Sequence, residues 1–427
     1  NTIFVVPYST ELEEFFKNIL QDSSVIKRTH DSKKLFTYAE KCNIEIKNLA
    51  FDTILAAYLL NASAKGYELE KLALEYGISN AKIFCDDQNY QEISKNAAFF
   101  KILADMFNEK INENNQQSLL CDIEIPLAKV LAQMEILGFK VDFEGLKRYG
   151  DFFKEKSKEI EEEIHKHLDS KVNINSPKQL GAALFEDLGL PKGKKTKTGY
   201  STSAETLESL RNIHPVIDLI LQYRTLTKLN STYCEGLLKL VDKEGRVHSK
   251  FNQTQTRTGR ISSTEPNLQN IPIRTQLGAE LRKFFCVEEG NILIDADYSQ
   301  IELRLLACIA DDKEMQEAFE QGVDIHTVTA SQVFNMPIEM VTPLMRSRAK
   351  AVNFGIVYGI GDFSLAKDLK IPKSEAKKYI DTYFERYPNV KKYMEDIVSE
   401  AKENSFVTTI LKRRRYIPEI KVSNKMV

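Results

Sequence analysis

Two stretches of this chain combine residue types and spacings suited to phosphate chemistry. The first is Asp297–Arg304, DYSQIELR. The run before it, NILIDADYS (Asn291 to Ser299), alternates as a strand does. It should pass into a helix with Ile301, Leu305, Leu306 and Ile309 on one face. Asp297 would then stand at a strand end, where a rigid element can fix hard oxygen ligands for Mg²⁺. Asp295 lies two residues earlier on the same face. Ser299 and Glu302 also match the capping-box spacing, so Glu302 has a second reading as the acid that closes the first helical turn. The other stretch places Arg346, Lys350, Phe354 and Tyr358 at intervals of four, a stripe along a helix over 344–358. Its cations suit phosphates and its rings suit a base or sugar. Gly355 and Gly359 would let a flat group come close. An amphipathic helix with snorkelling cations and a buried aromatic pair accounts for the same pattern.

A third segment, TRTGRISSTEPNLQNIPIR (Thr256 to Arg274), is rich in side-chain donors. Its Arg, Asn and Gln residues could reach sugar, phosphate and base edges. A long structural loop is the alternative, though loops of this length more often carry function.

Positioning these residues requires several domains, and 427 residues allow two to four. Residues 1 to about 120 read as mixed α/β, with a polar linker at Asn112–Ser118. Long helices follow from Ile125 to about Leu240; the charged run Glu155–His167 is a solvent-washed helix face. Lys192–Ser203 reads as a loop tip, and Lys373–Tyr387 and Val390–Asn404 as helices. Net charge is −2, so the molecule as a whole is no basic nucleic-acid binder. Its cations are clustered, however. Arg246, Lys250, Arg257, Arg260, Arg274, Arg282 and Lys283 are accompanied only by Glu265 and Glu280 across that span, and Lys412–Arg415 and the group Lys192, Lys194, Lys195 and Lys197 form further clusters. Such stripes suit a protein that grips a polyanion along one surface. The 6 cysteines form no CxxC pair, which argues against zinc and disulfide frameworks and fits a reducing cytosol. No apolar run has the length of a membrane span, and no secretory signal opens the sequence.

DYSQIELR resembles motif A of the family A DNA polymerases, and RSRAKAVNFGIVYG resembles their motif B, with its Arg-x3-Lys-x7-Tyr-Gly pattern. TGRISSTEPNLQNIPIR is similar to the stretch that precedes motif A in that family. The resemblance runs from about Phe51 to the last residue. It implies an α+β multidomain right hand of thumb, palm and fingers, preceded by an α/β ribonuclease H-like 3′–5′ exonuclease-type domain. The expected division is 1–120 exonuclease-like, 121–240 thumb, 241–311 palm with motif A, and 312–427 fingers with motif B and the start of the return to the palm. The implied activity is template-directed DNA synthesis in replication and repair, with two Mg²⁺ ions, primer–template DNA and deoxynucleoside triphosphates. A monomer in the bacterial cytoplasm, associated with the nucleoid, is expected. By resemblance, Asp297 and the Tyr298 carbonyl bind metal, and Glu302 excludes a 2′-OH. Arg346, Lys350 and His326 hold the triphosphate, Phe354 packs on the sugar, and Tyr358 lies near the template base. Gln300 contacts the nucleotide or template. Arg260 reads the minor groove at the primer end, and Asn267, Gln269, Asn270 and Arg274 contact DNA.

Two departures from the family pattern qualify this. No His-Asp-Glu motif C, with the second catalytic aspartate, occurs before Val427. The residues given should therefore catalyse poorly by themselves, and a non-catalytic DNA-binding fragment is the alternative reading. The exonuclease-like region has no Asp-x-Glu pair near its start, and SKNAAFFKIL (Ser94–Leu103) carries no carboxylate, so a vestigial, non-proofreading domain is expected. A single-subunit RNA polymerase, which shares the palm, is disfavoured by Glu302.

Overall fold

The structure is a computed structural model and describes residues 10–78, 90–168, 171–191, 195–196, 199–273 and 275–421. Arg274, Cys85 and, in the lysine-rich tip, Lys192, Lys194 and Lys197 lie outside the described residues. Contacts divide the chain into two compact units, Asn1–Leu293 and Ile294–Val427.

In the first unit, helix Thr10–Gln21 is followed by two short parallel strands, Lys27–Thr29 and Leu49–Asp52, in which Arg28 pairs with Phe51 and Thr29 with Asp52. The second strand runs straight into helix Thr53–Leu60, TILAAYLL. A helix apolar on all sides must be buried, and nearly every side chain of this one is. It anchors a core shared with Phe99, Leu103, Phe107 and Ile111 of helix Gln91–Glu113. The polar stretch after that helix is a packed turn and not a linker. Asn115 takes a left-handed conformation, the Gln116 amide bonds back to Ile111, and Gln116 is fully buried. A π-helical segment, Leu119–Glu124, then continues into helix Ile125–Leu137.

Helix Phe143–His167 is capped by Asp142, which accepts from the Gly145 amide at 2.9 Å. It packs on helix Val216–Lys228, burying Leu146, Phe153 and Ile164, while most of its charged residues stay in water. Strand Phe139–Val141 lies between Arg246–Val247 and Phe285–Cys286, antiparallel to both. A separate hairpin pairs Lys250–Asn252 with Ser262–Thr264.

The second unit is mostly helical. Helices Ile301–Ile309, Lys313–Glu320, Ile325–Val333, Pro343–Val357, Asp362–Leu369, Lys373–Arg386 and Pro388–Asn404 enclose a core of Leu303, Met315, Ile325, Val352, Ile356, Tyr383 and Val390. A hairpin of Phe406–Thr408 and Arg414–Tyr416 follows.

The strand expected at Asn291–Ser299 is not formed. The segment is irregular, and Ile292 and Ile294 are each 80% exposed. A strand exists only where a neighbour completes its ladder. Among the described residues no strand pairs with this one.

Candidate active site

Helix Ile301–Ile309 starts at Gln300, which adopts a left-handed conformation (φ 55°) and makes no side-chain cap. Ser299 is therefore not the N-cap, and the capping-box reading of Glu302 fails. The Glu302 carboxylate instead accepts a 2.7 Å hydrogen bond from the Tyr358 hydroxyl. The Gln300 side-chain amide donates to Asp324 Oδ1 at 3.2 Å.

Asp324 escapes notice in the sequence, although an Asp opening a helix is a standing signal for an N-cap. It caps Ile325–Val333, accepts from the Thr327 hydroxyl at 2.6 Å, and holds Arg346 Nε at 2.6 Å. Burial alone would raise this carboxyl. The hydrogen bonds from Arg346 and Thr327 and the charge of Arg346 outweigh it, holding the group well below the usual carboxylate range.

The stripe forms as expected on helix Pro343–Val357, started by Thr342, whose hydroxyl accepts from the Met345 amide. Lys350 Nζ lies 5.8 Å from the Phe354 ring centre, and the Phe354 and Tyr358 rings stack at 6.2 Å. Its two glycines, however, do other work. Gly355 is buried, and a Cβ there would meet Ile360 and Leu365 at 3.6 and 3.7 Å. It faces the core and opens no room for a ligand. Gly359 has φ 69° and ends the helix. Its amide bonds to the Ile356 carbonyl and the Ile360 amide to that of Gly355, the paired bonds of a Schellman ending. Gly359→Ala should therefore destabilise this unit by about 1 kcal/mol, since a Cβ is strained in that conformation. Denaturant unfolding against the parent checks this, and equal stability would show that the helix end does not depend on it.

His326 is buried and its ring sits 5.8 Å from Phe354. Two further buried residues fix its state. Thr329 Oγ1 donates to Asn353 Oδ1 (3.1 Å), so the Asn353 amide group donates to His326 Nδ1 (2.9 Å). The remaining proton is on Nε2. Burial lowers the His326 pKa; Asp324 opposes this, while Arg346 and Lys350 add to it. The ring is thus a neutral donor. Asn353 could have been suspected as an amide set between Val352 and Phe354 on a core-facing helix, because a buried amide needs partners.

Asp297 and Tyr298 are exposed, and Asp297 takes no hydrogen bond or ion pair among the described residues. Its carboxylate and the Tyr298 carbonyl are hard oxygen donors of the kind Mg²⁺ prefers. They fit one side of a metal site. Among the described residues no group of three His, Cys, Asp or Glu side chains is placed to complete one.

Of the DNA-contact residues proposed from sequence, Arg260, Asn267, Gln269 and Asn270 lie in the first unit. Arg260 is exposed on the loop of the Lys250–Thr264 hairpin, its carbonyl accepting from Thr256 Oγ1 at 2.7 Å. Asn267 is engaged within its own segment, accepting from the Ser263 hydroxyl and the Gln269 amide. The Gln269 side chain donates to the Ile261 carbonyl at 2.9 Å. Asn270 is exposed, and its carbonyl accepts from the Tyr233 hydroxyl.

Comparison with known proteins matches residues 143–427 to the model of DNA polymerase family A. The chain belongs to DNA polymerase family A. Residues 1–106 match the ribonuclease H-like domain of DNA polymerase I. Relatives within this family include DNA polymerase I of Bacillus subtilis (strain 168), 45% identical over 99% of this chain and 50% of that protein. DNA polymerase I of Bacillus caldotenax is 46% identical, with the same coverage. The chain thus spans about half the length of these curated relatives. The fold is also similar to a structure described as the POL domain of Pol1 from M. smegmatis in complex with DNA primer-template and dNTP. The TM-score is 0.87 at 36% identity, covering 98% of this chain and 73% of that one. No helix among the described residues is long and apolar enough to cross a membrane.

Proposed function

We propose that this chain carries the nucleotide-gripping part of a template-directed DNA polymerase, which extends a primer 3′-OH with deoxynucleotides. The observation that carries the reading is the double tie between the start of helix Ile301–Ile309 and the stripe: Glu302 to Tyr358, and Gln300 through Asp324 to Arg346. These ties join two carboxylates, Arg346 and Tyr358, and the stripe adds Lys350 and the stacked Phe354 ring, with Asp297 three residues before Gln300.

In this reading Lys350 and Arg346 take the triphosphate, and neutral His326 donates one hydrogen bond from Nε2 without adding charge. Phe354 packs on the sugar, and Glu302 fills the space a 2′-OH would need. Asp297 and the Tyr298 carbonyl would hold magnesium. The two ions, when bound, lower the pKa of the primer 3′-OH and offset charge on the leaving pyrophosphate. The cations on the helix stabilise charge that develops on the phosphates in the transition state.

The ribonuclease H-like region is read as non-proofreading. Asp31 and Asp52 both serve as helix caps. Asp52 is buried, with its carboxylate taken up by the amides of Ser32 (2.5 Å), Ile54 (2.7 Å) and Leu55 (3.2 Å). That leaves little of it to offer a metal. The assignment of residues 121–240 to a thumb, 241–311 to a palm and 312–427 to fingers is part of the same proposal.

Primer–template binding by fluorescence anisotropy, run beside primer extension, tests the reading. Affinity should fall steeply with salt as phosphate contacts release counterions. Arg260→Ala should bind roughly tenfold more weakly at fixed salt, the loss expected for one base-edge arginine. Salt-insensitive binding, or an unaffected Arg260→Ala variant, would remove the DNA reading of this loop. Binding without extension would reduce the chain to a DNA-binding piece.

A further inference from the structure

The loop that presents Arg257 and Arg260 spans residues 253–261, between strands Lys250–Asn252 and Ser262–Thr264. Besides the Thr256–Arg260 and Gln269–Ile261 bonds already described, and Ser262 Oγ donating to Gln255 at 3.3 Å, ties from elsewhere in the unit hold the loop and the strand that enters it. Lys33 Nζ donates to the Phe251 carbonyl at 2.8 Å and pairs with Glu135 at 2.7 Å. Glu135 in turn accepts from the Phe251 amide at 2.7 Å. Gln253 donates to the Glu124 carbonyl at 2.8 Å. The last tie reaches furthest into the loop. The Tyr58 hydroxyl donates to the Thr256 carbonyl at 2.7 Å and accepts from the Gly259 amide at 3.1 Å. One oxygen thus closes the neck of the turn that holds Arg257, bonding both a backbone acceptor and a backbone donor.

Tyr58 is well placed to impose this shape. It belongs to the fully apolar helix Thr53–Leu60, is 1% exposed, and stands edge-on to Tyr67 at 6.1 Å. Packing on every side fixes its rotamer, so the hydroxyl is a rigid reference point. Gly259, with φ 84°, supplies the bend that turns its amide toward that point. Tyr58 and Lys33 both lie in the region matching the ribonuclease H-like domain. We propose that this region braces the DNA-binding loop, and that Tyr58 is a positioning residue that holds Arg257 and Arg260 ready for primer–template. The inference rests on the reading of that loop as a DNA contact. A loop held in its bound shape before the encounter loses less entropy on binding, which appears as affinity.

Tyr58→Phe keeps the ring and deletes the hydroxyl. With primer–template DNA it should weaken binding roughly fivefold, the factor for one net hydrogen bond. Hydrogen exchange at the Gly259 amide should speed up, while the melting temperature stays close to that of the parent. The deciding measurement adds Tyr58→Phe to an Arg257→Ala/Arg260→Ala background. If the hydroxyl acts through the arginines, no further loss follows there. An equal fivefold loss in both backgrounds would overturn the positioning role. Unchanged affinity in Tyr58→Phe, while the arginine variant binds weakly, would overturn the brace and leave the DNA reading intact. An arginine variant that binds normally would remove that reading and the brace with it. If Tyr58→Phe fails to fold, Lys33→Met cuts a separate tie from the same region. Its loss must likewise vanish in the arginine-free background, and a persisting loss would overturn the proposal.

Discussion

Lys350→Ala should reduce kcat/KM for deoxynucleotide incorporation by about 10²–10³, the usual result of deleting one preorganised charge from a transition-state site. Arg346→Ala should cost less, by about tenfold. The difference follows from the partners of each cation. Arg346 is bound to Asp324 at 2.6 Å, so much of its charge is already answered when the nucleotide arrives. Lys350 is exposed and makes no ion pair among the described residues, with the Phe354 ring 5.8 Å away. Its full charge is therefore available to the triphosphate. Steady-state kinetics with a matched primer–template would measure both variants. A larger loss from Arg346→Ala would mean that Asp324 releases the guanidinium on binding and that Lys350 is the minor partner.

Glu302→Ala should erase most of the preference for deoxynucleotides over ribonucleotides, by about 10² in the ratio of kcat/KM values. That scale is typical where a site must reject one added hydroxyl. The Tyr358 hydroxyl steadies the carboxylate at 2.7 Å, so Tyr358→Phe should give a smaller loss in the same direction. Competing ribo- and deoxynucleotides in single-nucleotide extension would read both effects. An unchanged ratio in Glu302→Ala would end the exclusion role. A collapse in Tyr358→Phe alone would move the barrier to the ring.

The amino-acid sequence declares those features of this site that rest on local periodicity. The stripe from Arg346 to Tyr358 needs only 3.6 residues per turn, and the structure builds it on helix Pro343–Val357 and its C-cap, Tyr358. The later helices at Lys373–Arg386 and Pro388–Asn404 were legible for the same reason. Whatever depends on distant partners was not legible. The alternation of Asn291–Ser299 announces a strand, yet a ladder requires a neighbour that periodicity cannot supply. Glu302 matched a capping box to the letter, but a phenol 56 residues away claims its carboxylate. Gly355 looked like an opening and is a packing contact. In each case one residue type satisfies two physical demands, and only the tertiary partner decides between them.

The Schellman ending at Gly359 has a kinetic consequence. With the last carbonyls of the helix already bonded, the backbone at Tyr358 cannot creep or unwind a turn without breaking those bonds. The ring and Glu302 therefore part by rotation about side-chain torsions. Exposed side chains do this in picoseconds to nanoseconds, whereas shifts of a whole helix take microseconds to milliseconds. The aromatic latch therefore keeps a faster clock than the helix that carries it, and many openings of the ring fit within a single swing of the helix.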